Sequence, residues 1–295
     1  MSSCPFCNSE NNTHYLDLKD YFLTQEDFQI VRCNDCGLLY TSPRPEASKM
    51  QSYYESKEYF SHQENNSGFI PRVYEFVKSI NLKRKLNIAT SGKIAGRILD
   101  IGCGTGDFLL KAKQSNWNVS ALEPNDNART IASKRLETTI FHPEEISQIP
   151  DSSFDVITMW HVLEHVEDLS NEVQHLYRML DDNGRLVIAV PNYKSYDAFY
   201  YKDKWAAWDV PRHLSHFDKN TMQNVFSDFN NLKIKEITTL QWDAYYISML
   251  SEKYLKHSLP LLRAAFRGFV SNIKARSTGE FSTLVYVFEK NHVKP

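Results

Sequence analysis

Apolar and polar positions divide the chain near residue 93. Beyond it, short apolar runs alternate with longer amphipathic stretches. Ile98–Ile101, Asn118–Leu122, Phe154–Met159 and Arg185–Val190 read as strands, with Thr139–Phe141 a shorter one. Phe108–Ser115, Ala128–Leu136 and Asn171–Leu180 read as helices between them. In the last, Val173, Leu176, Tyr177 and Leu180 share one face. Gly184, after Asp181-Asp182-Asn183, reads as the left-handed residue that closes this helix. A helix over Asn220–Phe229, a strand over Leu232–Leu240, an amphipathic helical stretch over 242–275 and a last strand over Ser282–Phe288 follow. Such alternation predicts a parallel sheet covered by helices on both faces.

Before residue 93 the pattern changes. Residues 1–45 end in Thr41-Ser42-Pro43-Arg44-Pro45, an exit that disfavours helix. Residues 46–92 are polar and tyrosine-rich. Met50, Tyr53 and Tyr54, and then Val73, Phe76, Val77 and Ile80, recur at helical spacing and predict two helices broken at Gly68 and Pro71. Three units are expected: 1–45, a helical linker or substrate cap over 46–92, and an α/β domain over 93–295 with a helical insert at 242–275.

Composition narrows the function. The 295 residues carry a net charge of −2, which argues against a broad nucleic-acid footprint. Lys83-Arg84-Lys85 is a short basic cluster. The polar start, Met1-Ser2-Ser3-Cys4-Pro5, lacks a signal-peptide pattern, and apolar runs such as Leu186–Val190 are too short to cross a bilayer. A cytoplasmic protein with no membrane partner is expected.

Four of the five cysteines form two Cys-x-x-Cys knuckles, Cys4/Cys7 and Cys33/Cys36. Thiolates at this spacing can converge on a structural Zn²⁺, which compensates for a core too small to fold alone. A closed four-thiolate site leaves no position open for catalysis. Cys103 stands apart and reads as a small packing residue.

The richest stretch is Arg97–Phe108, which reads as strand, glycine turn and helix start. Gly102, Gly104 and Gly106 bare the backbone, and free N–H groups at the helix start favour a negative group. Glu123 closes the next strand, 17 residues after Gly106 (123 − 106), where an acid can grip a ribose diol. The unit suits a nucleoside with an anionic tail. A dinucleotide turn would read Gly-x-Gly-x-x-Gly, whereas this one is Gly-x-Gly-x-Gly with Asp100 two residues ahead.

That spacing resembles the first motif of class I S-adenosylmethionine (SAM) methyltransferases. The resemblance implies a Rossmann-like, seven-stranded, mostly parallel α/β sheet with its last strand antiparallel, here preceded by a small zinc ribbon. It implies that Asp100 and the loop Gly102, Cys103, Gly104 and Gly106 lie against the methionyl part of SAM. Glu123, followed by Pro124, would hold the ribose, and Glu144 would lie near adenine. Phe154–Val166 resembles the segment after the fourth strand, close to that of ubiquinone-pathway O-methyltransferases, and puts Trp160 and His161 at the cofactor. His161-Val162-Leu163-Glu164-His165 also spells a metalloprotease signature, but its required context is missing. Glu164 and His165 are therefore read as holding local structure.

The segment Trp205–Phe217 resembles one in zinc-ribbon-bearing bacterial methyltransferases associated with sugar, polysaccharide or natural-product pathways. Trp205 and Trp208 could stack on a ring and Arg212 could hold a phosphate or carboxylate. His213, His216 or His161 could serve as base. The expectation is methyl transfer to a small molecule such as a sugar or polysaccharide precursor. Two alternatives are an RNA-directed methyltransferase that recognises RNA through its ribbon, and a SAM-binding regulator without activity. Oligomeric state is not legible.

Overall fold

A computed structural model describes residues 3–54 and 69–291. Strands β1 (Asn12–Lys19), β2 (Asp27–Cys33) and β3 (Leu39–Ser42) form an antiparallel sheet, and β8 (Ser215–His216) adds a fourth strand beside β3. The main sheet has the order β5-β4-β6-β7-β10-β9. It uses β4 (Arg97–Ile101), β5 (Asn118–Leu122), β6 (Phe154–Trp160), β7 (Leu180–Pro191), β9 (Leu232–Thr239) and β10 (Thr283–Lys290). Strands β5, β4, β6 and β7 run parallel, and β10 runs antiparallel to both its neighbours.

The expected seventh strand is reduced to one bridge, Leu122 to Phe141. Phe141 gives its N–H to Ala121 and its carbonyl to the Glu123 N–H. The chain then turns at once into the 3₁₀ segment Pro143–Gln148, because Pro143 cannot donate to a ladder.

Of helices α1 (Phe69–Thr90), α2 (Asp107–Gln114), α3 (Asp126–Leu136), α4 (Leu169–Met179), α5 (Tyr196–Tyr201) and α6 (Lys219–Val225), all but α5, which was not expected, fall in segments read as helical. Residues 242–275 resolve into α7 (Asp243–Leu255) and α8 (Pro260–Thr278). Pro71 does not break a helix. It sits in the first turn of α1, where its missing N–H has no intrahelical partner to lose. Gly68 lies outside the described residues. Gly184 is not the left-handed residue; Asn183 takes that conformation, at φ 63°. A Cβ on Gly184 would fall 2.6 Å from the Asp181 carbonyl, so glycine is needed there for closeness.

Alternation along the strands builds two cores. Leu99, Ile101, Ile157, Met159, Ile188 and Tyr286 face a core shared with α4, α6 and the ribbon's Cys4, Cys33 and Tyr40. Ile98, Val156, Trp160, Val187 and Val285 face α1, α2 and α3. The ribbon thus packs on one face of the main sheet. Among the described residues, no helix is long and apolar enough to cross a membrane.

Candidate functional site

The glycine turn leaves the carboxyl end of β4. The N–H groups of Gly102 and Cys103 donate to the Leu122 carbonyl at 2.7 and 3.2 Å, which ties the turn to β5. Gly102 has φ 71°, and a Cβ there would meet Val162 Cγ2 at 2.5 Å. Gly104, at φ 54°, has open space where its Cβ would be. One glycine packs against Val162 and the other faces open space as a cradle.

Glu123 braces that cradle. Its Oε2 accepts from the Gly104 N–H at 2.7 Å and its Oε1 from the Asn125 N–H at 2.9 Å. Asp100 lies fully buried beneath and accepts from the Thr158 hydroxyl at 2.6 Å. Burial pushes its carboxyl up to about 7, against the opposing pull of Thr158 and Lys85. Trp160 caps β6, edge-on to Phe108 at 5.5 Å, and its indole Nε1 is buried without a hydrogen-bond partner. A nearby ligand with acceptor groups would satisfy it. The Lys85 ammonium lies 4.9 Å from the Trp160 ring centroid, and desolvation pulls its pKa down. The backbone cradle, the buried orphan donor and the Glu123 carboxylate fit the SAM expected from the motif. Cys103 is buried, its thiol raised by desolvation, which agrees with packing. Glu144 departs from expectation: its side chain is 88% exposed on the 3₁₀ segment and paired with His142 at 3.6 Å. The inward partner in that turn is Glu145, which accepts from the His142 N–H.

The three candidate bases differ sharply. His161 holds Asp243 through Nε2 at 3.0 Å and Glu164 through Nδ1 at 3.4 Å. Burial disfavours its charge, but the two carboxylates outweigh burial and raise its pKa to about 9. An imidazolium is a proton donor, so in this arrangement His161 does not accept one. His216 is buried and lies 3.1 Å from the Thr41 hydroxyl, which itself donates to the His213 carbonyl. His216 therefore ties β8 to β3, and burial holds it neutral. His213 sits against the Ala207 carbonyl through Nδ1 at 2.9 Å. Burial, then the neighbouring His165 ring, push it down to about 4.

The Trp205–Phe217 segment folds inward. Trp205 and Trp208 are 2% and 5% exposed and pack edge-to-face at 5.4 Å. Their indole N–H groups go to Asp197 and to the Lys202 carbonyl. Neither ring is offered to a sugar, because both lie in a core with Leu18, Phe28 and Leu39 of the ribbon and Ile247 of α7. Arg212 is likewise occupied, paired with Asp20 at 2.8 Å and Asp209 at 2.7 Å. The basic cluster also disperses. Arg84 donates to the Thr239 carbonyl and Lys85 turns toward the site, so the three residues present no continuous basic patch.

Sequence reasoning missed Lys85 and Asp243. Lys85 was one of three adjacent basic residues, and only the face of α1 distinguishes it. Asp243 opens α7, 82 residues from His161, with no motif to join them.

In the ribbon, Cys4 and Cys36 sulfurs lie 3.5 Å apart and those of Cys7 and Cys33 3.4 Å. All four ligand atoms lie within 4.8 Å of one another, and none is in a disulfide. Four thiols converging in this way fit a tetrahedral Zn²⁺.

The family described as "Methyltransferase domain" matches residues 73–234. An uncharacterized methyltransferase of Staphylococcus carnosus is 36% identical over 114 residues, 37% of this chain and 53% of that protein. A ubiquinone biosynthesis O-methyltransferase of Rickettsia typhi is 27% identical over 190 residues, 59% of this chain and 74% of that one. Matches to the first curated relatives take in 53% to 61% of their length. The solved structure of geranyl diphosphate methyltransferase with GPP and sinefungin aligns with a TM-score of 0.53 at 14% identity, covering 78% of this chain and 85% of that one. At that identity it supports the fold alone.

Proposed function

The chain belongs to the methyltransferase domain family, and from that premise we propose that it transfers a methyl group from SAM to a hydroxyl of a small molecule. The observation that carries this reading is the open Gly104 cradle braced by Glu123 at 2.7 Å above the buried Asp100. When bound, SAM supplies a methyl already made electrophilic by its sulfonium. The chain has only to bind, orient and exclude water. The side-chain-free backbone at Gly104 would lie against the methionyl part, Glu123 would meet the ribose hydroxyls, and Trp160 would wall the site. His161, with both ring nitrogens held by Asp243 and Glu164, would keep a positive charge beside the acceptor. His213 keeps a lone pair, but pushed down to about 4 it is a weak base, so the acceptor would be a hydroxyl acidic enough to give up its proton to solvent before its oxygen takes the methyl and S-adenosylhomocysteine leaves.

We favour a phenolic or related aromatic acceptor over a sugar. The Rickettsia relative is named for ubiquinone biosynthesis, while Trp205 and Trp208 are buried away from any sugar. Calorimetry of the zinc-loaded protein with S-adenosylhomocysteine tests the donor; absence of binding overturns the reading. Release of S-adenosylhomocysteine with catechols, and not with nucleotide sugars, tests the acceptor. The four-cysteine ribbon would hold Zn²⁺ as a structural ion.

A further inference from the structure

A second group of potential ligands lies beside the donor site. One ligand atom from each of Glu164, His165 and His213 lies within 4.8 Å of the others. Glu164 sits on a 3₁₀ turn, Leu163–His165, that follows β6; His213 comes from the segment leading into β8.

Three observations make this more than proximity. Glu164 is 1% exposed, and apart from the ion-pair contact of Oε1 with His161 neither carboxylate oxygen has a hydrogen-bond partner. The His161 Nδ1 lies 3.4 Å from Oε1, but His161 is shared with Asp243 at the shorter distance of 3.0 Å. His161 answers Oε1 at long range, and a buried Oε2 with no partner of its own is costly unless a further donor or cation completes it.

Both imidazoles are also fixed by backbone carbonyls. His165 Nδ1 lies 2.9 Å from the Arg212 carbonyl and His213 Nδ1 2.9 Å from the Ala207 carbonyl. A carbonyl only accepts, so each Nδ1 carries the proton and each Nε2 carries the lone pair. That outer arrangement is how metal-bound histidines are commonly held. The Tyr54 hydroxyl also lies 3.2 Å from His165 Nδ1. Asp209 Oδ2 stands 4.0 Å from His213 Nε2, too far to hydrogen-bond, and that carboxylate is engaged by Arg212. Lastly, the pocket that His213 and Glu164 line includes Ser215, whose buried Oγ also lacks a partner.

We propose that Glu164, His165 and His213 form a second metal site, separate from the four cysteines, for a divalent first-row transition ion of the Zn²⁺ type. Two imidazoles and one carboxylate suit such ions better than Mg²⁺, which prefers an all-oxygen shell. Three protein ligands leave a position open, so the site can take an oxygen of a small molecule. That last role rests on the proposed hydroxyl acceptor; the metal site itself does not.

Cobalt titration tests the site without any acceptor. Metal-free protein, prepared under reducing conditions, is titrated with Co²⁺ and followed by absorption and equilibrium dialysis. Wild type should bind two equivalents per chain, one with thiolate-to-cobalt charge-transfer bands and one without. Glu164→Gln and His213→Gln should keep the thiolate bands, which shows that the ribbon is folded, and lose the second equivalent. A single equivalent in wild type, or a second that survives both substitutions, overturns the proposal. Calorimetry with S-adenosylhomocysteine on the same preparations reports separately on the donor reading.

Discussion

Asp20 and Arg212 form a buried ion pair at 2.8 Å, with side chains 0% and 3% exposed, between the ribbon and the segment before β8. Asp20 also accepts from the N–H groups of Phe22, Leu23 and Thr24, so it closes its own turn. Arg212 completes its fork on Asp209. Removing one member leaves the other charge buried. Asp20→Ala should therefore cost on the order of 3–5 kcal/mol, read as a drop in the denaturation midpoint. Asp20→Leu with Arg212→Met should recover part of that loss, since the turn N–H groups and Asp209 still lose their partners; a double-variant cost equal to the sum of the two single costs would mean that the pair is not coupled.

The same pair has a pH signature. Burial raises the Asp20 carboxyl, but Arg212 and the turn N–H groups outweigh it and hold it below the usual carboxylate range. A depressed folded pKa gives stability that is present above the unfolded value, about 4, and is lost as pH falls through the folded value. Wild type should lose stability faster than Asp20→Asn below about pH 4. Parallel unfolding profiles in that range would exclude this account.

His161 has the opposite sign. Its folded pKa, about 9, stands above the ordinary histidine value because Asp243 and Glu164 outweigh burial. Its contribution is fully present below about 6.5 and is lost as pH rises through 9. Asp243→Asn should lower the imidazole titration midpoint seen by NMR and flatten the stability profile between those limits. An unchanged midpoint would mean that α7 does not set the state of His161.

Much of the fold was legible because residues of the main-sheet strands, such as β4, β6, β7 and β10, alternate between two cores. The glycine turn was legible because bare backbone at fixed spacing has few other uses. The Trp205–Phe217 segment was misread for a physical reason. Tryptophan and arginine serve equally to bind a ligand and to fill an interface, and only the ribbon's position decides between them. Arg212 meets Asp20 across 192 positions of sequence. The Glu164, His165 and His213 cluster was hidden in the same way. Two adjacent residues looked structural until β8 brought His213 beside them.

The two glycines of the turn should respond differently to alanine. Each has positive φ, so each substitution costs at least about 1–2 kcal/mol. At Gly102 the new Cβ also overlaps Val162 at 2.5 Å, which adds to the loss. At Gly104 the Cβ enters open space, so Gly104→Ala should stay folded but bind S-adenosylhomocysteine far more weakly. Calorimetry and thermal melts separate the two. Wild-type affinity in Gly104→Ala would remove the cradle from the argument.

Zinc loss should reach beyond the ribbon. Cys4, Cys33, Leu38 and Tyr40 belong to the same core as Ile157, Met159 and Ile188 of the main sheet. Strand β3 also holds β8, which carries His216 and begins two residues after His213. Without a metal, four thiols facing one another repel once any two ionise, and the knuckles lose their closure. Chelation should therefore lower the melting temperature of the whole chain in one transition, with the site collapsing along with the ribbon. Cys33→Ser should do the same without chelator, since Cys33 is fully buried in that shared core. The readout is calorimetric unfolding together with S-adenosylhomocysteine affinity. If chelation melts a separate low-temperature transition and leaves affinity unchanged, the ribbon is an independent module and its packing against the sheet contributes little to the site.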